Sequence, residues 1–175
     1  MPSVLNPSEL ECVLSVVGIA NLNSPGQVVI SGVAAAVEAA GEFAKAAGAK
    51  RVIPLAVSGA FHSPLMATAG DALYADLRAA LFRNTTIPVV VNVTAEYCTH
   101  GVDFGPNLTM QVSGSVRWEE SMRRLLADGV DTFVELGSGE VLAGLMKRID
   151  REAKTYSVGD PASADACAAA LSSAG

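Results

Sequence analysis

Much that would betray a function class by composition is missing from this chain. It holds three cysteines, Cys12, Cys98 and Cys167, an odd number, widely spaced and without a CxxC pair. That argues against a disulfide framework and against a zinc site, and three reduced thiols are expected. Long apolar runs are lacking too: the valines of 89–93 fall far short of the roughly 20 residues needed to cross a bilayer. Met1-Pro2-Ser3 opens no basic region followed by an apolar core. Positive charge is in the minority, with 12 Lys and Arg against 18 Asp and Glu and a net charge of −6. Without a basic stripe interleaved with aromatics, nucleic-acid binding is not expected. The expectation is a soluble, intracellular protein with no membrane segment and no metal.

What is present suffices for a core, since half of the 175 residues are hydrophobic. One globular unit is expected. Val16 to Asn21 and Gln27 to Ser31 are β-branched runs around Asn23-Ser24-Pro25-Gly26, and they predict a hairpin. Val33 to Ala47, ended by Gly48, predicts a helix with a glycine stop. Arg51 to Val57 is an apolar, strand-like segment. Ser63 to Phe82 keeps Leu65, Met66, Ala69, Leu73, Leu77, Ala80 and Leu81 on one helical face, with Pro64 in its first turn. Pro88 to Val93 is rich in valine and predicts a strand buried in a parallel sheet. Residues 96–106 are polar and predict irregular chain. Helices over 115–128, 141–149 and 162–171 alternate with strands over 132–136 and 155–158, and the tail from Ser172 is expected to fray.

The two parts of this pattern differ in kind. Up to Val57 the order is helix, hairpin, helix, strand, which resembles a ferredoxin-like unit without its first strand. From His62 onward the alternation is that of a layered α/β domain. A sheet built from the later strands alone is narrow and leaves apolar faces that need more chain to cover them. The chain is therefore expected to be part of something larger.

The most informative stretch is Val57-Ser58-Gly59-Ala60-Phe61-His62-Ser63-Pro64-Leu65-Met66, which mounts one of the two histidines between a strand-like segment and a long helix. Imidazole is the side chain that exchanges protons near neutrality, and rigid elements on both sides would orient it as a general base. On these residues alone, a structural histidine that caps the following helix or is partly buried is the favoured reading. The chain contains no evident nucleophile for such a base to activate. His100 sits in a polar stretch beside Gly101 and is given no role.

Residues 21–32 (Asn21-Leu22-Asn23-Ser24-Pro25-Gly26-Gln27-Val28-Val29-Ile30-Ser31-Gly32), Gly48-Ala49-Lys50-Arg51 and Gly59 to Met66 resemble the malonyl-CoA:acyl carrier protein transacylases of fatty acid synthesis. Ser115-Val116-Arg117-Trp118 and Val134-Glu135-Leu136-Gly137-Ser138-Gly139-Glu140-Val141-Leu142 match the same family in the same order. Together they cover about residues 13 to 150, and several motifs in register are far more specific than one short pattern.

The resemblance implies an α/β fold: part of an α/β-hydrolase-like acyltransferase domain with an incomplete ferredoxin-like small subdomain. Residues 1–58 would be the remainder of the small subdomain and 59–175 the C-terminal part of the large one. It further implies a Ser-His ping-pong transfer of malonyl from malonyl-CoA, a substrate, to the phosphopantetheine thiol of acyl carrier protein, with no cofactor. His62 falls on the family's base and Gln111 on the glutamine whose main-chain carbonyl orients it. Phe61 matches the position where, in related polyketide acyltransferases, an aromatic favours malonyl over methylmalonyl. Lys45, Lys50 and Arg51 form the preferred candidate surface for the acidic carrier protein, with Lys147, Arg148 and Arg151 as a second cluster.

The family's Gly-His-Ser-x-Gly elbow, its Gly-Gln-Gly-Ser-Gln oxyanion stretch and its malonyl-binding arginine have no counterpart here, and no Gly-x-Ser-x-Gly pattern occurs. The chain thus resembles the C-terminal half of a transacylase, with the N-terminal half as an expected partner and the isolated chain expected to be inactive. A non-catalytic fragment or carrier-binding module derived from the enzyme is the alternative. Ser115, Ser138 and Glu140 depart from the family's usual proline, proline and lysine. The expected compartment is the cytoplasm, with plastid or mitochondrion as alternatives.

Overall fold

The computed structural model describes residues 17–173. The helix expected ahead of the hairpin, Cys12 and the last two residues of the tail lie outside them. β1 (Val17–Ser24) and β2 (Gln27–Gly32) form the expected hairpin around Pro25-Gly26. α1 (Ala34–Ala46) follows and stops where glycine predicted it. Gly48, at φ +98°, donates its N–H to Lys45 O (3.0 Å), and Ala49 N–H donates to Ala44 O (2.9 Å). These are the paired bonds of a Schellman motif, which satisfy carbonyls the helix end leaves free.

Residues 51–57 do not form the expected strand. A strand exists only as one side of a ladder, and among the described residues none lies beside this segment. Pro54 has no N–H to offer, and Val57 N–H turns back to Leu55 O (3.1 Å). Val52 packs toward Gly41 of α1, where a Cβ would sit 3.1 Å from its methyl. Ile53, Leu55 and Val57, the alternate residues of the extended chain, are 67%, 58% and 64% exposed.

Contacts divide the chain into two compact units, residues up to 22 with 28–117, and 23–27 with 118 onward. The expected boundary at 58/59 falls inside the first. In that unit the helix expected over 63–82 is a 3-10 turn (Pro64–Met66) continuing into α2 (Ala67–Ala79). β3 (Val89–Val91) pairs antiparallel with β4 (Glu96–Cys98), from Val89 against Cys98 to Val91 against Glu96. This corrects the parallel, fully buried strand expected over 88–93: a tight turn through Ala95, at φ +57°, brings the chain straight back, and Val89 is exposed.

α3 (Gly101–Ser113) occupies chain expected to be irregular. Pro106 is its sixth residue, so it removes a single intrahelical bond near the start. Asn84 Oδ1 accepts the Gly101 N–H (2.8 Å) and caps the end from outside the helix. α3 packs along α2, and Phe82 meets Phe104 at 6.1 Å between centroids. Beyond α3 the chain runs beside β1: Val116 N–H donates to Ala20 O (2.8 Å) and Leu22 N–H to Val116 O (2.9 Å). The Ser115 hydroxyl donates to Ile19 O, a tie that proline could not make.

The second unit follows expectation closely. α4 (Trp118–Ala127), β5 (Thr132–Leu136), α5 (Val141–Ile149), β6 (Lys154–Val158) and α6 (Pro161–Ser172) come in the predicted order. Ser172, expected in the frayed tail, is the last residue of α6. β5 and β6 pair in parallel, Thr132 against Lys154 through Leu136 against Val158, with α5 as the crossover. Met122, Ala143, Leu145, Met146 and Cys167 are buried. Asp160 and Ser163 form a capping box at the start of α6, whose hydrogen bonds hold the Asp160 carboxyl below the ordinary carboxylate range. Its contribution to stability is therefore present above that range and fades as pH falls through the depressed value. A two-stranded parallel sheet is narrow for its kind, and Leu136 and Val141 remain 79% and 71% exposed.

Candidate active site

His62 closes a tight turn. The hydroxyl of the fully buried Ser63 donates to Ala60 O (2.7 Å), and His62 takes a left-handed backbone at φ +59°. For a residue with a Cβ that conformation costs on the order of 1–3 kcal/mol and persists only where the surroundings hold it. Here the last turn of α3 does so: His62 N–H donates to Val112 O (3.3 Å), and the ring Nδ1 lies 2.9 Å from Gln111 O. A main-chain carbonyl only accepts, so Nδ1 carries the proton and Nε2 presents a free lone pair.

The structure therefore brings His62 and Gln111 together, residues 49 apart in sequence. Both acceptors belong to the carbonyls that a helix C-terminus leaves without intrahelical partners. The helix end carries about half a negative charge, facing a ring that becomes positive when it takes a proton. The Gln111 side chain curls around the same end: Nε2 donates to Gly114 O (3.0 Å) and lies 3.3 Å from His62 Nδ1, while Oε1 is buried without a partner.

Phe61 is 49% exposed beside His62, so it is not part of the core. Its ring edge rests over Gly59, where a Cβ would sit 3.6 Å away. Lys45, Lys50 and Arg51 are exposed and make no hydrogen bond or ion pair with His62 or Gln111. Lys45 is engaged by Glu42, Nζ to Oε1 at 2.7 Å. In the second cluster Arg148 donates to Gln27 Oε1 (2.8 Å). His100 is the N-cap residue of α3 and makes no capping bond with its side chain. Among the described residues no group of three or more His, Cys, Asp or Glu could hold a metal ion, and no helix is long and apolar enough to cross a membrane.

Two features of the site have no sequence signal: the left-handed His62 backbone, and the bond from His62 N–H to Val112 O. Glu135 stands out in the sequence only as part of a motif. Its carboxylate accepts Leu142 N–H (3.0 Å) and Ala143 N–H (2.9 Å), capping α5 from the preceding strand.

No family profile matches the chain. The malonyl CoA-acyl carrier protein transacylase of Bacillus subtilis is 49% identical over 147 residues, 84% of this chain and 46% of that protein. The crystal structure of acyl-carrier-protein S-malonyltransferase from Bartonella henselae has a TM-score of 0.86 at 36% identity, covering 97% of this chain and 56% of the other. A malonyl-transacylase in complex with its type II PKS acyl-carrier protein has a TM-score of 0.82 at 40% identity, covering 92% and 54%. The chain spans about half the length of the relatives it matches. Along the residues it spans, the chain is similar in sequence and in fold to the malonyl-CoA:acyl carrier protein transacylases.

Proposed function

We propose that this chain is the C-terminal half of a malonyl-CoA:acyl carrier protein transacylase and supplies its general base, His62. The observation that carries this reading is the 2.9 Å approach of Nδ1 to Gln111 O, which leaves Nε2 free to take a proton. The N-terminal half supplies the serine, the oxyanion donors and the arginine that pairs with the malonyl carboxylate. In the first half-reaction Nε2 takes the serine proton as Oγ attacks the thioester carbonyl. The tetrahedral intermediate then expels the CoA sulfur, which receives that proton. In the second, Nε2 takes the proton of the phosphopantetheine thiol, the sulfur attacks the malonyl-serine ester, and the departing serine oxygen is reprotonated.

The exposed apolar residues Ile53, Leu55, Val57, Leu136 and Val141 favour a partner segment that covers them over an isolated module. Residues 1–58 belong to the small subdomain and 59–175 to the large one in this reading, and the enzyme works in the cytoplasm. Acyl carrier protein approaches over Lys50 and Arg51, with Lys45 contributing less because Glu42 already neutralises it. The test is direct: the chain alone, incubated with malonyl-CoA and examined by intact mass spectrometry, gains no malonyl group. A stable malonyl adduct on it overturns the assignment of the nucleophile to the other half.

Phe61 stands next to the base with half its surface open, where it can press on the α-carbon of a bound acyl group. One methyl is worth about 1–3 kcal/mol of discrimination. In the completed enzyme, Phe61→Ser raises the methylmalonyl to malonyl ratio of kcat/KM by about 10-fold or more. An unchanged ratio removes Phe61 from selectivity.

A further inference from the structure

A serine placed directly before a helical turn ordinarily faces forward, its hydroxyl oxygen accepting one of the first free N–H groups. Ser63 stands at that place ahead of Pro64–Met66 and makes no such bond. Its hydroxyl reaches backward instead, donating to Ala60 O at 2.7 Å. Pro64 prepares this, because the residue before a proline is kept in extended backbone, and Ser63 lies at φ −123°, ψ 161°. Among the described residues no main-chain bond runs from Ser63 N–H to Ala60 O, so it is the side chain that closes the turn over 60–63. Ser63 is fully buried, and water is not at hand to replace that bond. Phe61 and His62 are the two residues inside the closure, and His62 carries its strain at φ +59°.

The bonds from His62 to Val112 O (3.3 Å) and Gln111 O (2.9 Å) receive the residue on α3, but they do not bridge the turn itself. We propose that Ser63 is a positioning residue for His62: by closing 60–63, its hydroxyl keeps His62 in the left-handed backbone that brings the ring to the end of α3. It touches no substrate and acts through His62. This role rests on His62 being the base, and the two can fail separately. Amide exchange reads the turn without any transfer, whereas His62→Ala reads the base.

The experiment is native-state amide exchange by NMR on the full chain, following His62 N–H against Val116 N–H, which bonds to Ala20 O in the same compact unit. Exchange from the folded chain reports how often a bond opens, so even a rare opening is measured. Ser63→Ala should quicken exchange at His62 by about 3–10-fold, the worth of one neutral hydrogen bond, with Val116 unmoved. Unchanged exchange at His62, or equal quickening at both, overturns the proposal. Ser63→Thr and Ser63→Val add nearly the same bulk and differ in the hydroxyl, so His62 should stay about 3–10-fold better protected with Thr than with Val. Equal protection in the two overturns it, even where Ser63→Ala does not fold. If none of the variants folds, the wild type decides: a Ser63 hydroxyl proton resolved from water upholds the closure, and one that exchanges freely overturns it. In an enzyme completed with the missing half, Ser63→Ala should lower kcat by about 3–10-fold and leave KM for malonyl-CoA in place, with Ser63→Thr restoring the rate. An unmoved kcat in an enzyme that His62→Ala disables also overturns the role.

Discussion

Replacing His62 by alanine in an enzyme completed with the missing half lowers malonyl transfer by about 10²–10⁴-fold, the range typical of a lost general base. The fold should survive, because the side chain is only partly buried and its shortest bond is to a helix-end carbonyl that water can satisfy. The loss is expected in both half-reactions, because in the proposed mechanism the same Nε2 takes a proton from serine and later from the incoming thiol. Rapid-quench measurement of malonyl-enzyme formation and of transfer to carrier protein separates the two steps. Equal slowing of kcat and kcat/KM marks an interaction made only in the transition state. Near wild-type rates in either step contradict the assignment.

Glu135→Ala is expected to destabilise the chain by about 1.5–3 kcal/mol, the worth of hydrogen bonds to a charged group. α5 has no acidic residue in its first turn, and its N-cap Glu140 makes no capping bond. Its start depends instead on Glu135, whose two oxygens each take one N–H, from Leu142 and Ala143. A carboxylate there satisfies two free donors and also faces the positive end of the helix. Glu135→Gln keeps one acceptor oxygen and should cost less. Urea unfolding reads the effect as a lower midpoint, and an alanine variant with the wild-type midpoint would show that α5 is capped by other means.

Elements whose signals are local were legible in the residues. Gly48 stops α1 because only a left-handed residue closes that turn easily, and the period of Val141–Ile149 returns as α5 between two parallel strands. Failures came where the answer depends on something distant. Residues 51–57 have strand chemistry, but a pattern states capacity for a ladder and supplies no partner. The valines of β3 announce a strand, yet its direction was set by the turn through Ala95. α3 was hidden by Pro106, by its glycines and by polar flanks, and its packing against α2 overrode those weak preferences.

The candidate site divides in the same way. Its histidine could be suspected from one decapeptide. Gln111 could be reached only through family resemblance, because the group that meets His62 is a main-chain oxygen and every residue has one. The left-handed turn at His62 belongs to neither source, since it follows from two bonds to carbonyls some fifty positions away.

The central claim is that the chain holds the base and lacks the nucleophile. The most direct measurement is malonyl transfer by a single polypeptide in which the part of the Bacillus subtilis relative that this chain does not cover precedes it, compared with the chain alone. The fusion is expected to transfer malonyl from malonyl-CoA to carrier protein and to lose that activity when the serine of the added part is replaced by alanine, while the chain alone transfers none. Transfer by the chain alone, or a folded fusion that acylates its serine at the same rate with and without His62, would contradict it.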